Sequence, residues 1–458
     1  MRFLIRLVLL LLVIAGVAWF VAGRIGGPTI ELTQPEKFLG VATPLEAVIG
    51  APVAQLTGLR VVIEQNGKQF PAYSLGDAGG DVKEEAPGRT RLKKTIGKES
   101  APDLQSGSAK IHITAERPVL YGLRKVSTTA TKEVQVRLER PKVAVLSAHH
   151  FVNHGGAEVV VYRATPADVV SGVVVGDVEY PGYPASTAGV PGITVADPSV
   201  KVAFFALRHD QDLKTPIRVF ARDEAGNIAR ADFDKRVFPK PFKKSRIEVT
   251  DSLIDRVVPA ILEGTTEIKP DGDNLAKFLA INSELRKKNA EKIASFAKQT
   301  AKEMLWSGQV FHTFKNNAVE SAFADARTYV YKGKEVDQQT HLGFDLASFT
   351  ATPIVAANRG KVLFAEELGI YGNCVIVDHG MGVQSLYAHL SSMDVKAGDN
   401  VEKAQQIGRS GMTGMAGGDH LHFTMLVNGT MVNPVEWWDG HWIEDRIVRK
   451  LREAAAAK

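Results

Sequence analysis

Residues 340–347 read THLGFDLA and residues 417–423 read GGDHLHF. Between them stand YGNCVIVDHG (371–380) and SLYAHLSS (385–392), and VNPVEWW (432–438) follows. Side chains alternate faces along a β-strand. His420 and His422 therefore point to one side, with Leu421 turned into a core. His341 and Asp345 are four apart and share a face in a strand or a helix. Two imidazoles and one carboxylate suit a catalytic zinc that keeps a fourth position open. His341, Asp345, His389, His420 and His422 thus compose one candidate metal site. Two histidines are left over to take a proton from water and to steady a developing oxyanion. Each piece alone is weak, since a lone histidine is usually a satisfied core or surface residue and HxH arises by chance in alternating strands. Their succession in this order carries the reading.

With those residues in view, Thr340 to Trp438 resembles the catalytic domain of the LytM/lysostaphin-type zinc metallopeptidases, a duplicated-hybrid-motif-like fold. The matching pieces are HLGFD, PIVAANRGKV, GNCVIVDHG, SLYAHLS, VKAGDNVEKAQQIGRSGMTGMAGGDHLHF and VNGTMVNPVEW. Members of that family hydrolyse peptide bonds in bacterial cell-wall peptidoglycan. The resemblance implies one Zn(2+) on His341, Asp345 and His422, with His389 and His420 as the catalytic pair. His420 would polarise or deprotonate the zinc water, and His389 would stabilise the oxyanion or the leaving group. Two positions depart from the family's usual pattern. Thr424 follows HLHF where an acidic residue is usual, and Asp419 stands where proline is common. No ligand position is lost.

A chain of 458 residues is too long for one core and predicts several domains. The formal net charge of +5 suits solvation or attraction to an anionic polymer or membrane surface. Nucleic acid is excluded as a partner, because no basic motif with interleaved aromatics occurs. The one cysteine, Cys374, rules out an internal disulfide framework and reads as a buried strand thiol.

The fold class expected is mainly β and multidomain. Residues 1–27 read as a cytoplasmic stub and transmembrane anchor. Arg2 and Arg6 precede the uncharged run Leu7 to Gly23, slightly short of the ~20 residues a spanning helix prefers. The early arginines favour a cytoplasmic N-terminus, so a single-pass inner-membrane protein with a periplasmic catalytic domain is expected. A cleaved signal peptide is the rival reading. Residues 28–140 and 141–239 read as two Ig-like β-sandwich modules, the second closing on the turn Arg222–Asn227. Within the first, residues 76–108 read as an exposed loop. His149, His150 and His154 read as a polar turn, and His112 as one face of a strand.

Residues 240–308 read as linker and helices. Prolines and like charges break regular structure over 240–250. Asp251 to Glu263 reads helical, bent or shortened by Pro259, and a longer helix runs from Asp273 to about Trp306. Lys287 and Glu291 are an i,i+4 pair on its polar side. These helices pack, or alternatively cover the active-site groove until a partner moves them. Residues 309–439 are the peptidase domain, where Arg327 could face substrate carboxylates. Tyr387 shares a face with His389 and could hydrogen-bond in the site. His379 reads as structural, and 440–458 as a terminal helix. The function expected is a zinc-dependent endopeptidase acting on peptidoglycan peptides, laid in as an added strand. The alternatives are a non-catalytic regulator of a cell-wall amidase and a secreted protease acting on proteins. A regulatory protein partner would bind through the β modules.

Overall fold

The computed structural model describes residues 2–456 apart from 23, 25, 315, 316 and 348. The chain divides into two compact units, residues 1–141 with 222–229, and residues 142–221 with 230–458.

The first unit opens with a helix, Arg2–Ala22. Its described side chains begin at Arg6, and among the described residues no helix is long and apolar enough to cross a membrane. Two sheets follow. One orders Ile30–Gln34, Thr43–Ile49, Arg89–Ile96 and Asp81–Ala86; the other orders Phe38–Leu39, Arg124–Val136, Gly107–Val119, Gly58–Gln65 and Lys68–Ser74. Period-two burial explains their shared core: Leu45, Ala47 and Ile49 from one sheet meet Leu59, Val61, Ile63, Ile111 and Ile113 from the other. The stretch expected as a loop, 76–108, supplies two of these strands. Its polar composition hid an alternation in which Thr90, Leu92 and Ile96 are buried.

In the second unit, Lys142–Val145, Ala157–Thr165, Val200–Ala206 and Tyr183–Pro184 form one sheet. The peptidase region forms another, whose path is Ala318–Ser321, Phe344–Ala347, Leu421–Val427, Val383–Leu390, Asn373–Asp378, Gly360–Glu367 and Asn400–Val401. The pieces read from sequence as β module, linker, peptidase and terminal helix share one apolar core here. It runs from Val159 and Phe204 through Trp306 and Phe311 to Phe423, Trp437 and Leu451. Trp437 sits at the junction, its ring 6.1 Å from Phe204, 5.3 Å from Phe311 and 5.2 Å from Trp442. Polar groups seal the same junction. Glu436 accepts from Asn153 Nδ2 and from Ala157 N, each at 2.7 Å. Buried Lys450 donates to Glu158 Oε1 at 2.8 Å and to Val159 O at 2.7 Å.

Three boundaries differ from expectation. Lys244–Val249, expected as irregular linker, is a strand parallel to Asp325–Tyr331, its charged side chains exposed. The first helix, capped by Thr250, runs through Pro259 to Gly264. The second segment starts at Asn274 on an Asp273 cap, passes a π-turn at Ile281–Leu285, and ends at Gln299 rather than near Trp306. Trp306 is drawn instead into the aromatic junction. Truncating Trp437 to Ala should cost about 3–5 kcal/mol, read as a lowered urea midpoint of the full chain.

Candidate metal centre and catalytic cleft

The strand ladder sets Asp345 directly opposite His422, with Ala388 opposite His422 on its other side. His341 ends the hairpin strand Lys334–His341, and Leu342-Gly343 carries the chain into Phe344–Ala347. Gly343 is required there, because a Cβ at that position would lie 2.5 Å from the His422 ring. The result is a buried triangle. His341 Nε2 and His422 Nδ1 are each 2.9 Å from Asp345 Oδ1 and 3.0 Å from one another.

The outer partners decide which nitrogens carry protons. Thr424 Oγ1 donates to Leu342 O at 2.9 Å, so at 3.0 Å it accepts from His422 Nε2–H. Ser321 Oγ donates to Asp325 Oδ2, so His341 Nδ1–H donates toward Ser321 Oγ and Ala322 O, both at 3.2 Å. Lone pairs on both imidazoles therefore face the Asp345 oxygen, with no proton to share. A divalent cation satisfies such a donor set, and the edges approach the ~3.3 Å expected of tetrahedral zinc with ~2.0 Å bonds. His341, Asp345 and His422 also form the metal-competent group among the described residues. Arg327 Nη2 donates to Asp345 Oδ2 at 2.8 Å, which holds the second carboxylate oxygen away from the triangle.

His420 and His389 stand beside it, their rings 4.8 Å apart. His420 Nδ1 donates to Gly418 O and His389 Nδ1 to Thr413 O, each at 2.8 Å. Both therefore present a basic Nε2, and that of His420 lies 3.5 Å from Asp345 Oδ1. Burial works against the Asp345 carboxylate, but His341, His420 and His422 outweigh it and hold its pKa well below the usual range. Burial pushes His389 well below the ordinary histidine value, with His420 and His422 adding to the effect. Burial lowers His422 to about 4 despite Asp345. At His420 burial works against the charged form, but the Asp345 carboxylate outweighs it and the pKa is raised.

His389 has φ +61, a left-handed conformation rare outside glycine, that costs on the order of 1 kcal/mol or more. That twist corrects the reading of Tyr387. Strict alternation put Tyr387 on the face of His389, but the strand stops alternating at His389. Tyr387 is fully buried against Phe423, and its hydroxyl accepts from Ala357 N at 2.7 Å. Arg327 lines the cleft as well, with its guanidinium on the metal-side carboxylate.

A cavity of about 960 Å³ lies over these groups. The helical segment forms its far wall, through Leu253, Phe278, Arg286, Lys287 and Ala290. Arg256 Nη2 pins that wall to Ala416 O of the glycine-rich loop at 2.6 Å, and Asn289 Oδ1 accepts from Ile370 N at 3.0 Å. Lys287 lines the cavity, and the ion pair on this segment joins Lys288 to Glu284 instead. Asp419 braces the loop opposite, accepting from Ser410 Oγ at 2.6 Å and Ala351 N at 3.1 Å.

The other histidines lie outside the cavity. His379 bonds Arg359 O and Ser385 Oγ, both at 2.8 Å. His150 is buried on Ser147 and Asp234, His154 meets Gln211 O, and His112 meets Glu64 and Thr131. Cys374 is buried. Sequence reasoning gave no role to Tyr371, which lines the cavity with its ring 5.5 Å from that of His422. It also missed Ser321, Thr413 and the bond Thr424 makes. The position of Thr424 had drawn notice only as a departure from the HLHF-acid pattern.

A buried two-histidine, one-carboxylate centre beside two further histidines, on a β-sheet scaffold, defines a metallopeptidase domain. Residues 339–434 match the family model of peptidase family M23. The chain carries a peptidase M23 domain of the LytM/lysostaphin type, a family whose peptidases depend on zinc. The DD-carboxypeptidase/endopeptidase Mpg of Neisseria gonorrhoeae is 43% identical over 95 residues, 21% of this chain and 22% of that protein. The peptidoglycan DD-endopeptidase ShyA of Vibrio cholerae is 38% identical over 96 residues, again 21% and 22%. The match thus spans about a fifth of these relatives' length. Among solved structures, the catalytic domain of lysostaphin from Staphylococcus simulans aligns at 33% identity over 22% of this chain and 79% of that one, with a TM-score of 0.21.

Replacing Thr424 by Val removes the acceptor for His422 Nε2–H while keeping the shape. Zinc affinity should fall about 10–100-fold, measured by chelator competition. Unchanged affinity would show that His422 is oriented without Thr424.

Proposed function

We propose that this protein is a zinc-dependent endopeptidase that hydrolyses peptide bonds in peptidoglycan stems or cross-links. The observation that carries the proposal is the completed centre. His341 Nε2, Asp345 Oδ1 and His422 Nδ1 would hold zinc, each oriented by its own outer partner, and two more basic imidazole nitrogens share the cavity. A regulator that cuts nothing has no need of this set. When bound, zinc supplies Lewis acidity toward a water and a peptide carbonyl.

The chain's own residues do the rest. His420 Nε2 takes the proton of the attacking water, its ring held by Gly418 O. Once protonated, such a nitrogen donates to the leaving amine. His389, aimed by its left-handed backbone, would steady the tetrahedral oxyanion only after its Nε2 takes up a proton, since its Nδ1–H is held by Thr413 O. Ala318–Ser321 is the edge strand of the catalytic sheet, and Glu320 and Ser321 line the cavity. An extended peptide laid along that edge would reach both histidines.

In this reading the helix Arg2–Ala22 anchors the chain in the inner membrane, with the catalytic domain in the periplasm. Its support is the uncharged run after Arg6 and the exposed Leu7, Leu12, Val17 and Phe20 side chains. The two-sheet core of the first unit supports its reading as an Ig-like module.

The test is digestion of purified peptidoglycan by the full chain, with fragments separated by chromatography and mass. Zinc should deplete cross-linked dimers, a chelator should stop this, and His420→Ala should slow it about 10²–10⁴-fold. Intact dimers with zinc-loaded protein would overturn the proposal.

A further inference from the structure

The cavity over the metal residues is lined by groups of both charges. On the catalytic side the acidic groups are already engaged. Asp345 binds Arg327 and the histidines, and Arg327 Nε lies 3.6 Å from Asp325 Oδ2. Glu320 is the remaining carboxylate there and is exposed.

Four cations also line this cavity, from two elements. Arg246 lies on, and Lys243 just before, the strand Lys244–Val249, in the same sheet as the strand that ends at His341; Arg286 and Lys287 come from the helix Arg286–Ser295. Arg286 is fixed in place, donating from Nε to Asn282 O at 2.9 Å and from Nη2 to Asn282 Oδ1 at 2.6 Å. Arg246 leans on Glu248 at 3.4 Å, with both side chains largely exposed. Lys243 and Lys287 have no ion-pair partner among the described residues. Unpaired cations on a solvated face are common. These two line the same cavity as a centre that would cut peptides, Lys243 beside the sheet that carries His341 and Lys287 on the helical segment.

We propose that these cations form a carboxylate subsite: Lys243 and Lys287, flanked by Arg286, bind free carboxylates beside the scissile bond and make the enzyme select acidic over amidated peptides. This rests on the peptidase reading above. A substrate thus lies in the cavity with its carbonyl at the histidines and its carboxylates at the lysines. Both lysines are exposed and screened, so each contributes modestly and the pair acts mainly through KM.

The experiment uses the zinc-loaded full chain and two synthetic cross-linked peptides that differ only in free or amidated side carboxylates. Wild type should show a KM about tenfold lower for the free form, with kcat within about twofold. The double variant Lys243→Ala/Lys287→Ala should raise the free-form KM to the amidated value and leave the amidated peptide unaffected. The preference should fade at 1 M salt, where the screening length is ~3 Å. Equal handling of both peptides by wild type overturns the subsite. So does a double variant that loses or gains on both alike, the gain being the mark of a wall that merely shuts the cleft. Equilibrium binding of both peptides to zinc-loaded His420→Ala separates the two proposals. Preferential binding without cleavage by wild type upholds the subsite and sinks the peptidase reading; equal binding sinks the subsite.

Discussion

Asp345 and His422 face each other across adjacent antiparallel strands, and the centre depends on that pairing. It brings one carboxylate oxygen and one imidazole nitrogen within 2.9 Å, and the turn at Leu342-Gly343 swings His341 into the same contact. Buried polar groups without partners are costly. Every atom of the triangle that does not face its centre is therefore spoken for, by Thr424, by Ser321 and Ala322, and by Arg327. These outer bonds fix the tautomers, and the tautomers make the site able to hold a cation.

The same logic extends to the catalytic pair. His389 and His420 donate through Nδ1 to carbonyls of the glycine-rich loop, so one loop orients both. Asp419 braces that loop from one side and Arg256 from the other. The wall carrying Arg256 belongs to helices that pack on the peptidase sheet through Phe278, Ile281, Ile376 and Leu386. A cleft whose two walls come from distant stretches of chain keeps its width only while both are packed, and the shared core around Trp437 extends that dependence to the β region at 157–206.

Much of the local structure was legible. The stripe after Thr250 marked a helix, and HxH a strand with Leu421 turned inward. What failed, failed for identifiable reasons. Residues 89–96 looked like loop because charge obscured a period-two burial pattern. Lys244–Val249 looked like linker because its pairing partner lies about eighty residues away in sequence. Tyr387 was placed by an alternation that the left-handed His389 ends.

By itself the sequence determined the chemical inventory: two imidazoles and a carboxylate at ligand spacing, two spare histidines, and the strand periods that display them. Those are short-range properties, set by side-chain type and by the geometry of neighbouring residues. Only the tertiary structure decided which strand lies beside which. It put Arg327 on the second oxygen of Asp345, turned Thr424 toward Leu342 O so that it sets the tautomer of His422, and brought Lys243 and Lys287 to the cavity of the histidines. Arg327 and Asp345 are 18 positions apart and Thr424 and Leu342 are 82 apart, and no local period carries information over such distances.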